Sequence, residues 1–372
     1  MKPQKPMQET LRYKNYVANL RHQPPYAKEA ALLKEIAGGV QWRMDAAIEA
    51  IVKAPNKKDD YADMAYVSQL NVMKQAAMFG RLQTTRKLAA MFGYTEEDRR
   101  HGDPSAHAAF EVAVTHGHYK VADYLHAACK ARPDRETGDR TPPARSWALH
   151  DGDLKKIAYL ADKGENASHM LVAAMSERKN TKAVVDLLLS KGADVNYGAG
   201  QGGFWTPFLQ AVKLRRFDMA ELLLSKGADP AKSGGEVILN LIQSGNHKLL
   251  QTVLDKGAEP SINLLQHAFH DGNIKAAEMM LASPALDINA QGGAALLSAV
   301  QCKNQEEAVR LCLSKGADPA IALRTMEETK PRSWEPANPN AGKIKEFLSG
   351  LIAGKDIPAV IEAKNTPKPP QP

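Results

Sequence analysis

The chain contains 372 residues, of which 49 are Lys or Arg and 42 are Asp or Glu, so its formal net charge is +7. Its hydrophobic fraction of 44% is enough for a large buried core and excludes a wholly disordered chain. The three cysteines, Cys129, Cys302 and Cys312, are too few and too widely spaced for a disulfide framework or a four-ligand zinc site, which indicates a reducing compartment.

The first twenty residues contain four basic side chains and no apolar segment of the kind found in signal peptides. No apolar run reaches the roughly 18 residues that a membrane-spanning helix needs. We therefore expect neither secretion through a standard signal nor insertion into a membrane, and we predict a cytoplasmic protein. The alternative is an effector that is exported without a standard signal peptide.

Residues 1–64 are predicted to form a basic arm followed by a capping pair of helices. Residues 1–22 carry five basic side chains against the single acid Glu9. Helical apolar spacing follows at 26–37 and 42–53. We interpret this pair as a degenerate first repeat or an N-terminal cap rather than as a separate functional domain.

The sequence between 65 and 325 repeats itself. Its clearest unit runs from Thr206-Pro207 through the apolar segment 217–224 to 227–230, and related endings recur at 183–196, 249–260, 276–289 and 308–319. The turn inside each unit falls at Gly80, Gly117, Gly152, 177–180, Arg215, Gly245, Gly272 and Asn304. Gly80 and Asn304 are 224 residues and seven intervals apart, so the period is 32 residues. This period predicts about eight stacked helical repeats.

These units resemble the ankyrin repeat, whose family pattern is Thr-Pro-Leu-His-x-Ala, a turn often written Gly-His, an apolar second helix and a closing Gly-Ala-Asp-x-Asn. Only Thr206-Pro207 keeps the family's Thr-Pro pair. The resemblance implies an all-α, ankyrin-type helical repeat solenoid with helical N- and C-terminal caps. It also implies binding of another protein through a concave groove and finger loops, without catalysis.

The ends of the repeats follow simple rules of helix capping. Thr206 is suited to cap the first helix of its unit, and Pro207 fits the first turn because its missing N–H is not needed there. Glycines follow most second helices, where a left-handed residue closes the helix. Pro284 replaces that glycine in one unit and cannot adopt a positive φ, so we expect a different helix end there.

Two segments are predicted to be irregular. The polar segment 130–146 carries nearly balanced charges and is expected to be a mobile insertion and a candidate hinge. Beyond the array, 326–355 is predicted as a C-terminal capping segment with a helix at 341–352, and 356–372 as a proline-rich flexible tail.

Five of the eleven histidines lie between His101 and His126, a density that permits metal binding. However, His118 occupies the turn where the ankyrin family often has histidine, and no Cys or carboxylate completes a ligand spacing. We therefore favour structural roles in turns, and we predict no metal site and no cofactor.

The predicted binding residues come from the first helices and one loop. Two positions before the turn, His150-Asp151 and His270-Asp271 recur and are expected to lie in a row along the concave face. The glycine-rich segment 197–205 is expected to project as a finger, with folding of its aromatic rings back over the repeats as the open alternative. No strand precedes this segment and no Lys-Ser/Thr follows it, so a phosphate-binding loop is excluded. The complete predicted set is Tyr197, Phe204, Trp205, Lys213, Arg215, Arg216, His150, Asp151, His270 and Asp271.

The predicted function is a non-catalytic, monomeric scaffold that binds a partner protein or an acidic peptide. No catalytic nucleophile, base and orienting group can be assembled from residues a full repeat apart, and we predict no small-molecule substrate. The alternative is a basic-surface regulator or effector that inhibits an enzyme or binds nucleic acid. Nucleic-acid binding is disfavoured because acids are interleaved with the basic residues along the chain.

Overall fold

The computed structural model describes residues 7–21, 23, 25–52, 66–94, 104–133, 143–200, 203, 205–328, 340–358 and 361. This part of the chain contains 21 α-helices and one 3-10 helix, and its only strand-like pairing is an isolated bridge. The predicted all-α helical repeat fold is confirmed. Among the helices described, none has the length and apolar character needed to cross a membrane.

The helices form two compact units that divide between Asp194 and Val195. The first unit contains α1 (Met7–Arg21), α2 (Pro25–Gly38), α3 (Gln41–Val52), α4 (Tyr66–Met78), α5 (Leu82–Met91), α6 (Pro104–Thr115), α7 (Tyr119–Ala128), α8 (Ala144–Asp151), α9 (Leu154–Asp162), α10 (Ala167–Ala174) and α11 (Thr181–Ser190). The second contains α12 (Pro207–Lys213), α13 (Phe217–Ser225), the 3-10 helix (Pro230–Ser233), α14 (Gly235–Ser244), α15 (His247–Asp255), α16 (Ile262–His270), α17 (Ile274–Met280), α18 (Ala290–Ala299), α19 (Gln305–Ser314), α20 (Pro319–Glu328) and α21 (Ala341–Ile352).

Within each unit, the first helices of successive repeats stack on one another, and so do the second helices. First helices pack on first helices, as α4, α6, α8 and α10 do in turn, and as α12, α14, α16, α18 and α20 do in the second unit. Second helices pack likewise, α5 on α7 and α15 on α17. Buried alanines such as Ala77 in α4 and Ala109 in α6 let these helices approach closely. Each unit therefore has one continuous apolar core between its two rows of helices.

The N-terminal helix pair stacks in the same way as the repeats. Helix α2 packs on α4, α3 packs on α5, and α1 covers α3 with Val17 against Ala46. At the other end, α21 packs on α20 and buries Phe347. The predicted boundaries of the N-terminal arm, the repeat array, the caps and the tail stay predictions. Residues 134–142 of the predicted hinge and residues 362–372 of the predicted tail lie outside the described residues.

Most of the described turns between paired helices contain a left-handed residue. Gly80 has φ 67°, and a Cβ at this position would lie 2.6 Å from Nδ1 of His118, so a side chain is excluded there. Two turns achieve the same backbone without glycine, through Asn180 at φ 50° and Arg215 at φ 55°. A left-handed arginine is strained by roughly 1–2 kcal/mol. At Arg215, one of the turn positions found in the sequence, the turn therefore requires a backbone conformation that is unfavourable for the residue present.

Asparagines join successive repeats of the second unit. The Asn196 side chain donates to the Gly227 carbonyl (3.1 Å) and accepts from the backbone N–H of Asp229 (2.7 Å). One further pair of repeats is tied identically by Asn289, which donates to the Gly316 carbonyl (2.9 Å) and accepts from the next Asp. Each side-chain amide therefore bonds a backbone carbonyl and a backbone N–H near the end of a helix, where such groups lack partners within the helix.

The helix end at Pro284 is built differently, as the sequence predicts. Helix α17 closes through successive turns, with the N–H of Ser283 donating to the Met280 carbonyl (3.1 Å) and the N–H of Leu286 donating to the Ser283 carbonyl (3.3 Å). Every residue of 281–289 is described and none of them is left-handed; left-handed residues follow only at 291–293, where the start of α18 is kinked. A proline is compatible with this path because no positive φ is required.

Candidate functional site

The described residues of the segment 197–205, which leave out 201, 202 and 204, form a short finger at the start of the second unit. Ala199 and Trp205 pair across it, with N–H to carbonyl distances of 3.0 and 3.3 Å in the two directions. The next residue, Thr206, caps α12 by accepting from the N–H of Leu209 (3.1 Å), as its position in the sequence predicts. Phe204 lies outside the described residues. The finger is therefore anchored to the repeat through Trp205 and Thr206.

Trp205 is partly covered by a neighbouring lysine. The Trp205 side chain is 42% exposed, and Nζ of Lys213 lies 4.4 Å from the centroid of its ring. The same ammonium lies 3.2 Å from the Glu236 carboxylate. Leu214, the residue after Lys213, is 46% exposed. The finger thus presents an amphipathic surface with an aromatic ring, an aliphatic side chain and an internally paired cation.

The remaining predicted residues near the finger differ in exposure. Arg215 is exposed at its left-handed turn, whereas Arg216 is half-buried and lies at the N-cap position immediately before α13. Tyr197, at the other end of the finger, is also half-buried. Lys213, Arg215 and Arg216 keep the predicted basic character, although Glu236 offsets the first of them.

A groove of about 1300 Å³ crosses three first helices of the second unit. Its walls are the ends of α14, α16 and α18 and the turns that follow them. It includes His270 and Asp271 from the predicted set, and Nδ1 of His270 lies 3.2 Å from the Asp271 carboxylate. We call this the α14–α18 groove; it is lined by 242–245, His247, Asn263, 266–267, 270–273, Ser298 and 301–303.

Hydrogen bonds fix the floor of the α14–α18 groove. Asn273 donates to the Ile242 carbonyl (3.0 Å), accepts from the N–H of Ala276 (3.1 Å), and lies 2.8 Å from Nε2 of His247. This network joins α14, α15 and α17, so the backbone around the groove is held in place. The site is therefore organised by the part-buried side chain of Asn273 rather than by the side chains that face solvent.

Several side chains around the groove have unused hydrogen-bonding capacity. Within the described part of the chain they make no hydrogen bond or ion pair, and most are exposed. They are Gln243, Asn263, Gln266, His267 and Lys303. Sequence reasoning selected none of these residues, because exposed polar residues on a helix carry no distinctive pattern.

The other predicted pair, His150 and Asp151, lies at the end of α8 in the first unit. Nδ1 of His150 lies 3.2 Å from the Glu177 carboxylate, and Asp151 is 3.6 Å from the Lys179 ammonium. Trp147, one turn earlier on the same helix face, is 45% exposed and was missed. The structure therefore does not place all ten predicted residues at one described site; they belong to two units.

The histidine-rich segment is engaged in local structure. His107 is buried and accepts from the backbone N–H of Arg132 (2.9 Å), while Nδ1 of His126 donates to the Ala131 carbonyl (2.8 Å). Both bonds hold the turn after α7. His101 lies outside the described residues. Across the ranges that the structure describes, no three His, Cys, Asp or Glu side chains gather in a way that could hold a metal ion.

One buried acid stands apart from the binding surfaces. Glu111 in α6 is 1% exposed and accepts from the backbone N–H of Ala144 at the start of α8. The pKa of Glu111 is raised to about 7, mainly by burial and also by the Glu165 carboxylate, while the Ala144 N–H and Arg145 oppose the rise. Because its surroundings are the stacked helices of the array, this acid has a structural role at the α6–α8 contact.

Comparison with known proteins finds partial relatives. No family model matches the chain. It is 30% identical over 175 residues, 41% of its length, to the rat (Rattus norvegicus) ankyrin repeat and SAM domain-containing protein 6, and 29% identical over 132 residues to the mouse (Mus musculus) protein of that name. It is 38% identical over 85 residues, 22% of its length, to the human (Homo sapiens) 2-5A-dependent ribonuclease. The matches cover 19%, 14% and 11% of these relatives respectively, so the chain spans less than a fifth of any of them.

Proposed function

We propose that this chain, which is an ankyrin-repeat protein, is a non-catalytic scaffold that binds a partner protein. The proposed contact surfaces are the finger with Trp205 and Lys213, and the α14–α18 groove with His270 and Asp271. The observation that carries the proposal is the groove itself: its backbone is fixed by hydrogen bonds, whereas polar side chains around it have no partner in the described chain. Such side chains are available to a ligand without breaking internal contacts.

The finger supplies the apolar part of the proposed surface. Exposed tryptophan is enriched among the residues that dominate binding energy at interfaces. Arg215 and Arg216 lie just beyond Lys213, so acidic side chains of a partner are expected on this side. His150 and Asp151 are proposed as further contacts made by the first unit. A cytoplasmic monomer is part of the same proposal.

The alternative function, binding of nucleic acid through a basic surface, receives less support. Many lysines of the described chain are already paired with acids, as in Lys213 with Glu236 and Lys248 with Glu221. Phosphate binding requires basic side chains that are free to approach the phosphates and displace the counterions condensed on the nucleic acid. Pairing within the protein reduces that capacity, so we favour the protein-binding role.

The test is affinity capture from the native lysate with nuclease added, at about 50 and 200 mM salt. Trp205→Ala is expected to lose the captured protein, whereas Ile352→Ala, which removes a similarly exposed apolar side chain from α21, is expected to retain it. Recovery of material that is sensitive to both salt and nuclease, with no effect of Trp205→Ala, would refute the proposal in favour of the nucleic-acid alternative.

A further inference from the structure

Two carboxyl groups and one guanidinium meet between α6, α8 and the turn before α10. Oε2 of Glu111, on α6, accepts from the backbone N–H of Ala144, the first residue of α8. The next residue, Arg145, donates to Glu165 at a distance of 3.0 Å. Glu111 is 1% exposed and Glu165 is 5% exposed, so both carboxyl groups are shielded from water. We call Glu111, Arg145 and Glu165 the α6–α8 cluster.

The first turn of α8 depends on this cluster for its polar contacts. Pro143 precedes the helix and has no side-chain group that could cap it. The N–H of Ala144 is bonded by Glu111 instead, and the Arg145 side chain is held by Glu165. Helix α8 has eight residues, and helices of that length are not stable without packing. A change in the cluster should therefore affect the start of α8 first.

The α6–α8 cluster is electrically neutral only when it carries one proton. Arginine stays charged in proteins, so Arg145 balances one carboxylate and not two. Arg145 is bonded to Glu165, whereas Oε1 of Glu111 is buried and has no hydrogen-bond partner among the described residues. An ionised Glu111 would therefore be a buried and incompletely solvated charge. The Ala144 N–H and the positive end of α8 favour the ionised form, but burial outweighs them, because the pKa of Glu111 is raised to about 7.

On α6 and the helices packed against it, the other groups whose charge can change near neutral pH are histidines. Besides Arg145, the titratable and charged groups there are His107 on α6, Tyr66 and Lys74 on α4, Tyr119, Lys120, Asp123, Tyr124 and His126 on α7, and His150 and Asp151 on α8. Of these residue types, only histidine ordinarily changes charge between pH 5 and pH 8. The ring nitrogens of these histidines lie against groups outside the cluster: Arg132 N–H for His107, the Ala131 carbonyl for His126 and the Glu177 carboxylate for His150.

We infer that the α6–α8 cluster is a pH-sensitive switch: neutral Glu111 holds the start of α8 against α6, and loss of its proton to solvent lets this first turn open to water while the neighbouring helices stay folded. The open state hydrates the carboxylate that the closed state buries, so ionisation shifts the population towards the open state. Because the closed state has the higher pKa, the closed contact is strongest below about pH 4.5, weakens as the pH rises, and changes little above about pH 7.

Hydrogen exchange followed by mass spectrometry measures this opening in the full chain. The exchange rate of α8 amides at each pH is divided by the intrinsic rate of an unstructured peptide at that pH, which gives the opening equilibrium. The shifted pKa predicts that the protection of α8 falls roughly fifty- to hundredfold between pH 5 and pH 9, and that most of the fall occurs below about pH 7.5. A profile without this fall would refute the switch.

Helix α4, in the same unit, distinguishes local opening from unfolding of the whole unit. Its amides should stay at least about tenfold better protected than those of α8 at every pH, because opening of α8 leaves α4 packed on α6. Equal protection of the two helices would mean that the unit unfolds as a whole, and the inference would be wrong. This comparison uses the native chain and does not depend on the stability of any variant.

Glu111→Gln assigns the pH dependence to its residue. Glutamine can still accept from the Ala144 N–H but cannot ionise, so the corrected protection of α8 should become independent of pH. Glu306→Gln is the matched control, because Glu306 is exposed on α19 and pairs with Arg310, and it should keep the native profile. A pH dependence that persists in Glu111→Gln would assign the opening to a histidine or another group and overturn the inference.

Glu165→Gln tests whether the three side chains of the cluster act together. The Glu165 carboxylate raises the pKa of Glu111 and is bonded to Arg145. Its replacement by a neutral amide should therefore move the pH at which the protection of α8 levels off to a lower value. An unchanged profile would show that Glu111 titrates independently of Glu165, which contradicts a switch formed by the cluster. Circular dichroism confirms that each variant is folded.

Discussion

Replacing Glu111 by Gln is expected to make the protein more stable at alkaline pH and to leave it little changed at pH 4.5. Glu111 has a folded-state pKa of about 7, against an ordinary value of 4.5. Because the folded-state pKa is raised, the folded state prefers the protonated acid. The contribution of Glu111 to stability is therefore fully present below pH 4.5, declines as the pH rises, and is lost above about pH 7.

The magnitude follows from the size of this shift. Each pKa unit corresponds to about 1.4 kcal/mol, so ionising Glu111 lowers the free energy of unfolding by about 3 kcal/mol. Glutamine cannot ionise, and its amide oxygen can still accept from the Ala144 N–H. The difference in unfolding free energy, Glu111→Gln minus native, should therefore rise by about 3 kcal/mol between pH 4.5 and pH 8.

Urea unfolding followed by circular dichroism at several pH values measures this difference. Glu306→Gln is the control, because Glu306 is exposed and pairs only with Arg310, a contact worth less than about 1 kcal/mol. A Glu111→Gln difference that stays flat from pH 4.5 to pH 8 would show that the native carboxyl ionises without cost. The folded-state pKa of Glu111 would then not be raised, and the reasoning from its burial and neighbouring charges would be wrong.

Three further substitutions or modifications test the local structure. Asn289→Ala removes the bonds to Gly316 and Asp318 and should lower the free energy of unfolding by about 1–2 kcal/mol in urea titrations; an unchanged midpoint would mean that water replaces both bonds. Arg215→Gly relieves the left-handed arginine and should raise the melting temperature, corresponding to roughly 0.5–1 kcal/mol after the extra flexibility of the unfolded glycine is subtracted; a lower melting temperature contradicts the strain. Burial raises the pKa of Cys312 to about 12, so mass spectrometry should find it unmodified by iodoacetamide at pH 8 until urea is added; rapid labelling of the native chain would contradict its burial.

The repeat architecture could be predicted because it rests on signals that recur. Most described inter-helix turns contain a left-handed residue, and glycine at Gly80 or Gly245 marks it in the sequence; the turn before α19, at 300–304, has none. Even Arg215, where glycine is absent, could be placed from the period alone. Pro284 was informative for the same reason, since a proline excludes the usual helix end.

The candidate site was harder to predict because it depends on pairing across repeats. The sequence shows that Lys213 and His150 precede turns. It does not show that the carboxylates of Glu236 and Glu177, each in the following repeat, lie beside them. Conversely, Gln266 and Lys303 carry no pattern, and only their lack of partners in the described chain distinguishes them. Glu111 could have been found, because it is the one charged residue in the otherwise apolar helix 104–115.

The position of Lys213 has a consequence for how quickly partners exchange. Its ammonium lies against the Trp205 ring and the Glu236 carboxylate at once, so a ligand that stacks on that face of the ring must displace it. A cation over an exposed ring contributes about 0.5–1 kcal/mol, which offsets the ligand's gain by up to about fivefold in affinity. Affinity differences of this kind act mainly on dissociation. For the proposed binding at the finger, the lysine is therefore expected to shorten the lifetime of the complex and to favour rapid exchange of the bound protein.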